Sequence, residues 1–214
     1  MSIALDEMSR RNQIVKILIQ LYPSLESQLK YTTPFELLVA VSLSAQCTDA
    51  MVNRISPALF AAYPNALAMS KAPLNHLEEL VFKTGFYKNK ARNVLLASKR
   101  LVEVFNHEVP QSLENLVSLA GIGRKSAHVL RGHLWGLPAI IVDTHFGRVM
   151  RRLGFTLAQN PVQLERDIAD QVKPELQMPF SMAANNHGRQ VCKARSPLCK
   201  VCPLGPLCPS FFPS

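Results

Sequence analysis

Apolar residues recur along this chain with the period of a helix. Ile14, Val15, Ile17, Leu18 and Leu21 make one stripe, and Val94, Leu95, Leu101, Val102 and Phe105 make another, since positions three and four apart share a helix face. Thr33-Pro34-Phe35-Glu36 supplies a start signal: a Thr N-cap, a Pro at the first helical position and a Glu reaching back, as in a capping box. Asn160-Pro161-Val162-Gln163 repeats it. From Pro34 to about Ala45 nearly every position is apolar, which predicts a central helix enclosed by others. Amphipathic stretches near 74–83, 89–105, 113–120, 125–135, 144–153 and 161–173 would enclose it. The strand-like run Ala139 to Val142 is only four residues long. The expected fold class is therefore all-α, with short Gly- and Pro-bearing connectors and no internal repeat.

Composition bounds this picture. The chain has 214 residues, 48% apolar and 18% charged, which is enough for a substantial core and excludes a disordered or collagen-like chain. The longest apolar stretch, Phe35 to Ala45, is interrupted by Glu36 and two serines and is too short to span a bilayer. The start, MSIALDEMSRRNQ, lacks the apolar core and small-residue cleavage site of a signal peptide. No membrane, no secretion and a reducing compartment are expected. The formal charge of +9 is unevenly spread: residues 124–152 carry +5, residues 187–214 carry +4, and the rest balances. A surplus concentrated in this way invites an anionic partner.

Four of the five cysteines, Cys192, Cys199, Cys202 and Cys208, lie in the second basic segment with the spacing C-x6-C-x2-C-x5-C. A reducing compartment argues against disulfides. Four thiolates suit a structural zinc ion or a [4Fe-4S] cube, and spacing alone does not choose between them. Either would organise a tail too short for its own core. The fifth cysteine, Cys47, reads as a small buried thiol.

The first basic segment opens with a glycine turn between two helices, Leu119-Ala120-Gly121-Ile122-Gly123-Arg124-Lys125-Ser126-Ala127. It is no P-loop, because Arg124 stands where glycine must precede the lysine, and no dinucleotide fingerprint, because Ser126 replaces the third glycine. What remains is a tight turn whose Gly121 and Gly123 let backbone approach a phosphate at a helix N-terminus. Lys125 stands there beside Arg124, where an ammonium meets a positive dipole end and a second cation, the setting in which a lysine serves as nucleophile. Most lysines are merely solvated. Eighteen residues on, Ile140-Ile141-Val142-Asp143-Thr144-His145 places an acid after an apolar run, as a catalytic group or as the N-cap of the next helix. Tyr87-Lys88-Asn89-Lys90 offers a further backbone contact.

Taken in order, these residues resemble the endonuclease III family of DNA glycosylase/AP lyases, within the helix-hairpin-helix glycosylases. The matching stretches are Pro34-Phe35-Glu36-Leu37-Leu38, Leu43-Ser44-Ala45-Gln46 with Thr48-Asp49, the hairpin, Val142-Asp143-Thr144-His145 with Arg148-Val149, His187-Gly188-Arg189 and the cysteine tail. They span roughly residues 31–208. Ala120, Gly147 and the Ala183-Ala184-Asn185-Asn186 run depart from the family pattern. The resemblance implies a two-lobed helical protein. Residues 27–137 would form a six-helix barrel with the helix-hairpin-helix, and residues 1–26 with 138–214 an iron-sulfur cluster domain ending in a cluster loop. It implies a [4Fe-4S] cluster on Cys192, Cys199, Cys202 and Cys208, Lys125 as nucleophile, Asp143 as catalytic acid, and Gln46 filling the gap left by an extruded base. Gly121, Gly123, Arg124, His145 and Arg148 would line the DNA site. The implied activity is excision of oxidised pyrimidines from duplex DNA through a lysine Schiff base, followed by β-elimination 3′ to the abasic site. The enzyme would act in base excision repair as a monomer, in a bacterial cytoplasm at the nucleoid or in a nucleus. The alternative is a non-enzymatic DNA-binding module with a structural metal site made by the four tail cysteines.

Overall fold

The computed structural model describes residues 6–212. All regular structure among them is helical: α1 (Glu7–Leu21), α2 (Pro34–Leu43), α3 (Asp49–Ala62), α4 (Ala66–Ser70), α5 (Leu74–Val81), α6 (Tyr87–Val104), α7 (Leu113–Val117), α8 (Arg124–Trp135), α9 (Thr144–Arg152), α10 (Pro161–Ala169) and α11 (Pro174–Gln190). Short 3-10 turns follow at Phe82–Thr84, Cys199–Val201 and Gly205–Leu207. Among the described residues no helix is long and apolar enough to cross a membrane. The chain divides into two units, Glu26–Trp135 and a second made of the chain up to Leu25 together with the chain from Gly136 onward.

In the Glu26–Trp135 unit the apolar run at its start becomes the centre. On α2, Phe35 and every residue from Leu37 to Leu43 are buried, and the helix packs on α3, α6 and α8. Each fully buried leucine contributes about 1.5–3 kcal/mol relative to exposure. The start signal works with a shift. Thr33 Oγ1 accepts the Glu36 N–H at 3.2 Å, but the Glu36 carboxylate accepts the N–H and hydroxyl of Thr32, at 2.6 and 2.8 Å. At the second start signal Asn160 caps Val162 and Gln163, while Gln163 turns forward to Asp167.

The other unit packs α11 on α1 and α9 around Ile14, Leu18, Phe146, Val149, Phe180 and Ala184. Residues 139–142 form no strand, because an α11 side chain satisfies their backbone: Ile141 N–H donates to Ser181 Oγ at 3.1 Å, and that hydroxyl donates to Ala139 O at 3.4 Å. Arginines hold the irregular tail. Arg10 donates to Leu153 O and Leu207 O, at 2.9 and 2.8 Å. Arg152 donates to Lys193 O and Ala194 O, at 2.7 and 3.1 Å. Arg148 donates to Cys192 O and Gly188 O, at 3.0 and 2.7 Å.

The iron-sulfur expectation requires correction. Cys192, Cys199, Cys202 and Cys208 line one cavity of about 210 Å³, alongside Leu153, Val191, Leu198, Phe211 and Phe212. Yet among the described residues no group of three or more His, Cys, Asp or Glu side chains could hold a metal ion. Burial pushes the Cys202 and Cys208 thiols up, and the neighbouring sulfurs add to the effect. The cysteine residues therefore do not fit a cluster or a zinc ion in this structure. The C-terminal segment is a cysteine-lined loop and not an iron-sulfur fold holding a [4Fe-4S] cofactor.

Candidate active site and nucleic-acid interface

The glycine hairpin joins α7 to α8, and its two glycines serve different ends. Gly121 has φ +79°, and a Cβ there would lie 2.7 Å from Ser42 Oγ and 2.9 Å from Asn93 Cβ. It is required by the turn and by close approach to α2 and α6. A Cβ on Gly123 would meet nothing within 4 Å. Here the missing side chain leaves open space beside the first turn of α8. Ile122, 3% exposed, anchors the hairpin between them. Arg124 is half-buried and Lys125 exposed, so the amine stands clear of the protein at the end of a helix whose N–H groups favour negative charge.

Gln46 belongs to the same unit. It is exposed and held at φ +52°, a region non-glycine residues rarely enter. Phe86, at φ +47° and 65% exposed, is a second such residue. It escaped the reading of the sequence although the neighbouring Tyr87–Lys90 did not. The available signal was a large aromatic after Gly85 at a helix start. The two turns flank helices that pack on one another, since Gln46 follows α2 and Phe86 precedes α6. The Lys90 amine is buried and donates to Thr84 O at 2.7 Å, pinning the turn that carries Phe86, and burial pushes its pKa below the usual lysine range. Two exposed side chains on strained backbone at these turns form a pattern found at functional sites. Cys47 itself is half-buried.

The other unit presents Asp143, half-buried at the start of α9. It is an N-cap, as one sequence reading had it: Oδ1 accepts the Phe146 N–H at 2.8 Å. Its Oδ2 accepts from Asn185 Nδ2 of α11 at 2.5 Å, a partner the sequence reading did not name. His145 Nδ1 lies 3.3 Å from Arg148. The Arg148 guanidinium is taken up by the backbone carbonyls of Gly188 on α11 and Cys192 in the tail. Arg151 donates to Ala158 O at 3.2 Å. The cations of α9 thus secure the protein's own backbone, whereas Lys125 is exposed. Lys125, Gln46 and the two glycines share one unit; Asp143, His145 and Arg148 share the other.

Comparison with known proteins gives this arrangement a context. Residues 39–174 match the model of the HhH-GPD superfamily of base excision DNA repair proteins. Endonuclease III from Synechocystis sp. is 46% identical over 202 residues, covering 94% of this chain and 92% of that one. A solved non-covalent endonuclease III–DNA complex matches with a TM-score of 0.87 and 36% identity, covering 96% of this chain and 97% of that chain. A trapped covalent endonuclease III–DNA intermediate matches with 0.88 at the same identity and coverage. The chain belongs to the endonuclease III family, within the HhH-GPD superfamily of base excision DNA repair proteins.

Proposed function

We propose that this protein is a bifunctional DNA glycosylase/AP lyase that removes oxidised pyrimidines from damaged duplex DNA, with Lys125 as nucleophile and Asp143 as its acidic partner. The observation that carries the reading is the exposed Lys125 amine at the head of α8, beside the open space at Gly123. Near-full-length likeness to an endonuclease III captured in a covalent intermediate with DNA supports it.

Chemistry on a base inside a duplex requires the nucleotide to leave the stack, at a cost of a few kcal/mol. Gln46 is the side chain to occupy the gap, and Phe86 is an apolar wedge of the kind that stabilises unstacked steps. Phosphates flanking the flipped nucleotide meet the backbone N–H groups at the start of α8, a contact that sets register without reading sequence.

The neutral Lys125 amine attacks C1′ of the deoxyribose. A C–N bond forms, the glycosidic bond breaks with its electron pair leaving on the base, and the base takes up a proton. Ionised Asp143 stabilises positive charge developing on the sugar and assists proton movement from the amine. Ring opening gives an iminium ion between lysine and C1′, which acidifies the C2′ proton. Loss of that proton expels the 3′ phosphate and cuts the strand, and water then releases the lysine. One amine accounts for both activities.

Borohydride trapping tests this directly. The intact chain should form a covalent adduct with an abasic duplex, and Lys125→Ala should form none while still binding DNA. No adduct from the intact chain, or an undiminished one from Lys125→Ala, overturns the assignment.

A further inference from the structure

The Asp143 carboxylate is held at both oxygens, and the two donors differ in kind. The Phe146 N–H on Oδ1 is what any N-cap aspartate receives from its own helix. The Asn185 amide on Oδ2 comes from α11, 42 residues further along the chain, at 2.5 Å. An N-cap needs only the first. With Asp143 ionised both oxygens accept, so Asn185 must present its NH2, which fixes the orientation of the amide.

Asn185 does not act in isolation on its helix. Ser181, one turn earlier on the same face, accepts the Ile141 N–H at 3.1 Å. Gly188, three residues later, lets His145 close in: a Cβ there would lie 3.1 Å from His145 Cβ and 3.0 Å from Val149 Cγ2. The Gly188 carbonyl accepts from Arg148 at 2.7 Å. Positions 181, 185 and 188 of α11 thus form a track along which residues 139–148 are laid, and Asn185 is the point on it that touches the carboxylate.

We propose that Asn185 is a positioning residue for Asp143, an amide donor that aims the carboxylate without neutralising it. The chemical choice matters. An arginine or lysine at this position would pair with the charge and weaken its field at a developing sugar cation, whereas a neutral amide orients the group and leaves the charge available. The proposal rests on the role of Asp143 given above.

Three variants of the full chain separate the two claims, read by single-turnover excision from a duplex with one oxidised pyrimidine, by duplex affinity and by thermal melting. Asp143→Asn should slow excision by about 10²–10⁴-fold with affinity retained. Asn185→Leu, similar in size but lacking a donor, should slow it by about 10–100-fold, with affinity within about twofold, as misplacement of a catalytic group predicts. In Asn185→Asp the introduced carboxyl opposes Asp143 at high pH. As pH falls the pair takes up one proton, which restores the hydrogen bond and leaves one negative charge. The ratio of variant to native rate should therefore rise as pH falls. Native protein measured over the same range controls for His145 and Arg148, which face this region from α9, for Arg189 on α11 and for Lys125. A pH-independent ratio for Asn185→Asp, or Asn185→Leu within threefold of native, overturns the proposal. So does loss of affinity and melting temperature in step with rate, which a purely structural role would give. Undiminished excision by Asp143→Asn instead overturns the underlying reading of Asp143, whatever the Asn185 variants do.

Discussion

The hairpin of one unit and the α9 segment of the other use their cations in opposite ways. In the Glu26–Trp135 unit, helices close around the apolar α2, and Lys125 of the hairpin is left exposed. In the other unit Arg10, Arg148, Arg151 and Arg152 all donate to backbone carbonyls. The cause is the backbone itself. Helices satisfy their own carbonyls, whereas an irregular tail leaves acceptors that must find donors. Positive charge therefore means different things in the two places: a surface for an anion in one and internal scaffolding in the other. The +9 of the sequence overstates the charge offered to DNA, because much of the first basic segment lies on α9.

If the first unit is held by apolar packing, its largest weakness is the middle of α2. Leu38 is 1% exposed, and Leu38→Ala should destabilise the fold by about 2–5 kcal/mol through lost transfer energy and a residual cavity. Chemical denaturation followed by circular dichroism reads this directly. A loss below about 1 kcal/mol would mean that the helix does not carry the core. The centre of this unit was legible in the sequence because packing there is apolar on all sides, and Pro34 to about Ala45 became Pro34–Leu43. The helices at 49–62, 66–70 and 174–190 were not singled out. α11 shows why: its buried face includes Gln177, Ser181, His187 and Gly188, polar or small groups that hold other backbone, so apolar spacing alone does not reveal it. The tail reads differently again. Cysteine spacing suggested a metal, but spacing records order along the chain and not whether three side chains converge on one point. Asn185 stood out only as part of an unusual run, because its meaning comes from a partner 42 residues away.

The hairpin sharpens the comparison within a single turn. Gly121→Ala meets a positive φ and two close atoms, and should destabilise the protein by about 2–3 kcal/mol. Gly123→Ala meets nothing within 4 Å and should melt near the native temperature while binding duplex DNA more weakly. Reversed outcomes, with Gly123→Ala unfolding or Gly121→Ala neutral, would exchange the roles of the two glycines. Their symmetry in sequence, Gly-x-Gly, hid this division, since the positive φ of Gly121 and its packing on Ser42 and Asn93 distinguish them.

The smallest expected effect tests the scaffolding claim most directly. Arg152 donates to Lys193 O and Ala194 O, and Arg152→Gln should cost about 1–2 kcal/mol, the range for charge-assisted bonds at a half-exposed site. Because those bonds are internal, the slope of log affinity against log salt for duplex DNA should match the native protein. Lys125→Gln should leave stability within about 0.5 kcal/mol, as for exposed surface substitutions, and should lose borohydride trapping with that slope unchanged, because the phosphates meet the backbone N–H groups of α8 while the amine attacks the sugar. A reduced slope for Lys125→Gln would place its amine, charged, against a phosphate. A reduced slope for Arg152→Gln would return α9 to the DNA surface, making its carbonyl bonds a resting arrangement that the duplex displaces.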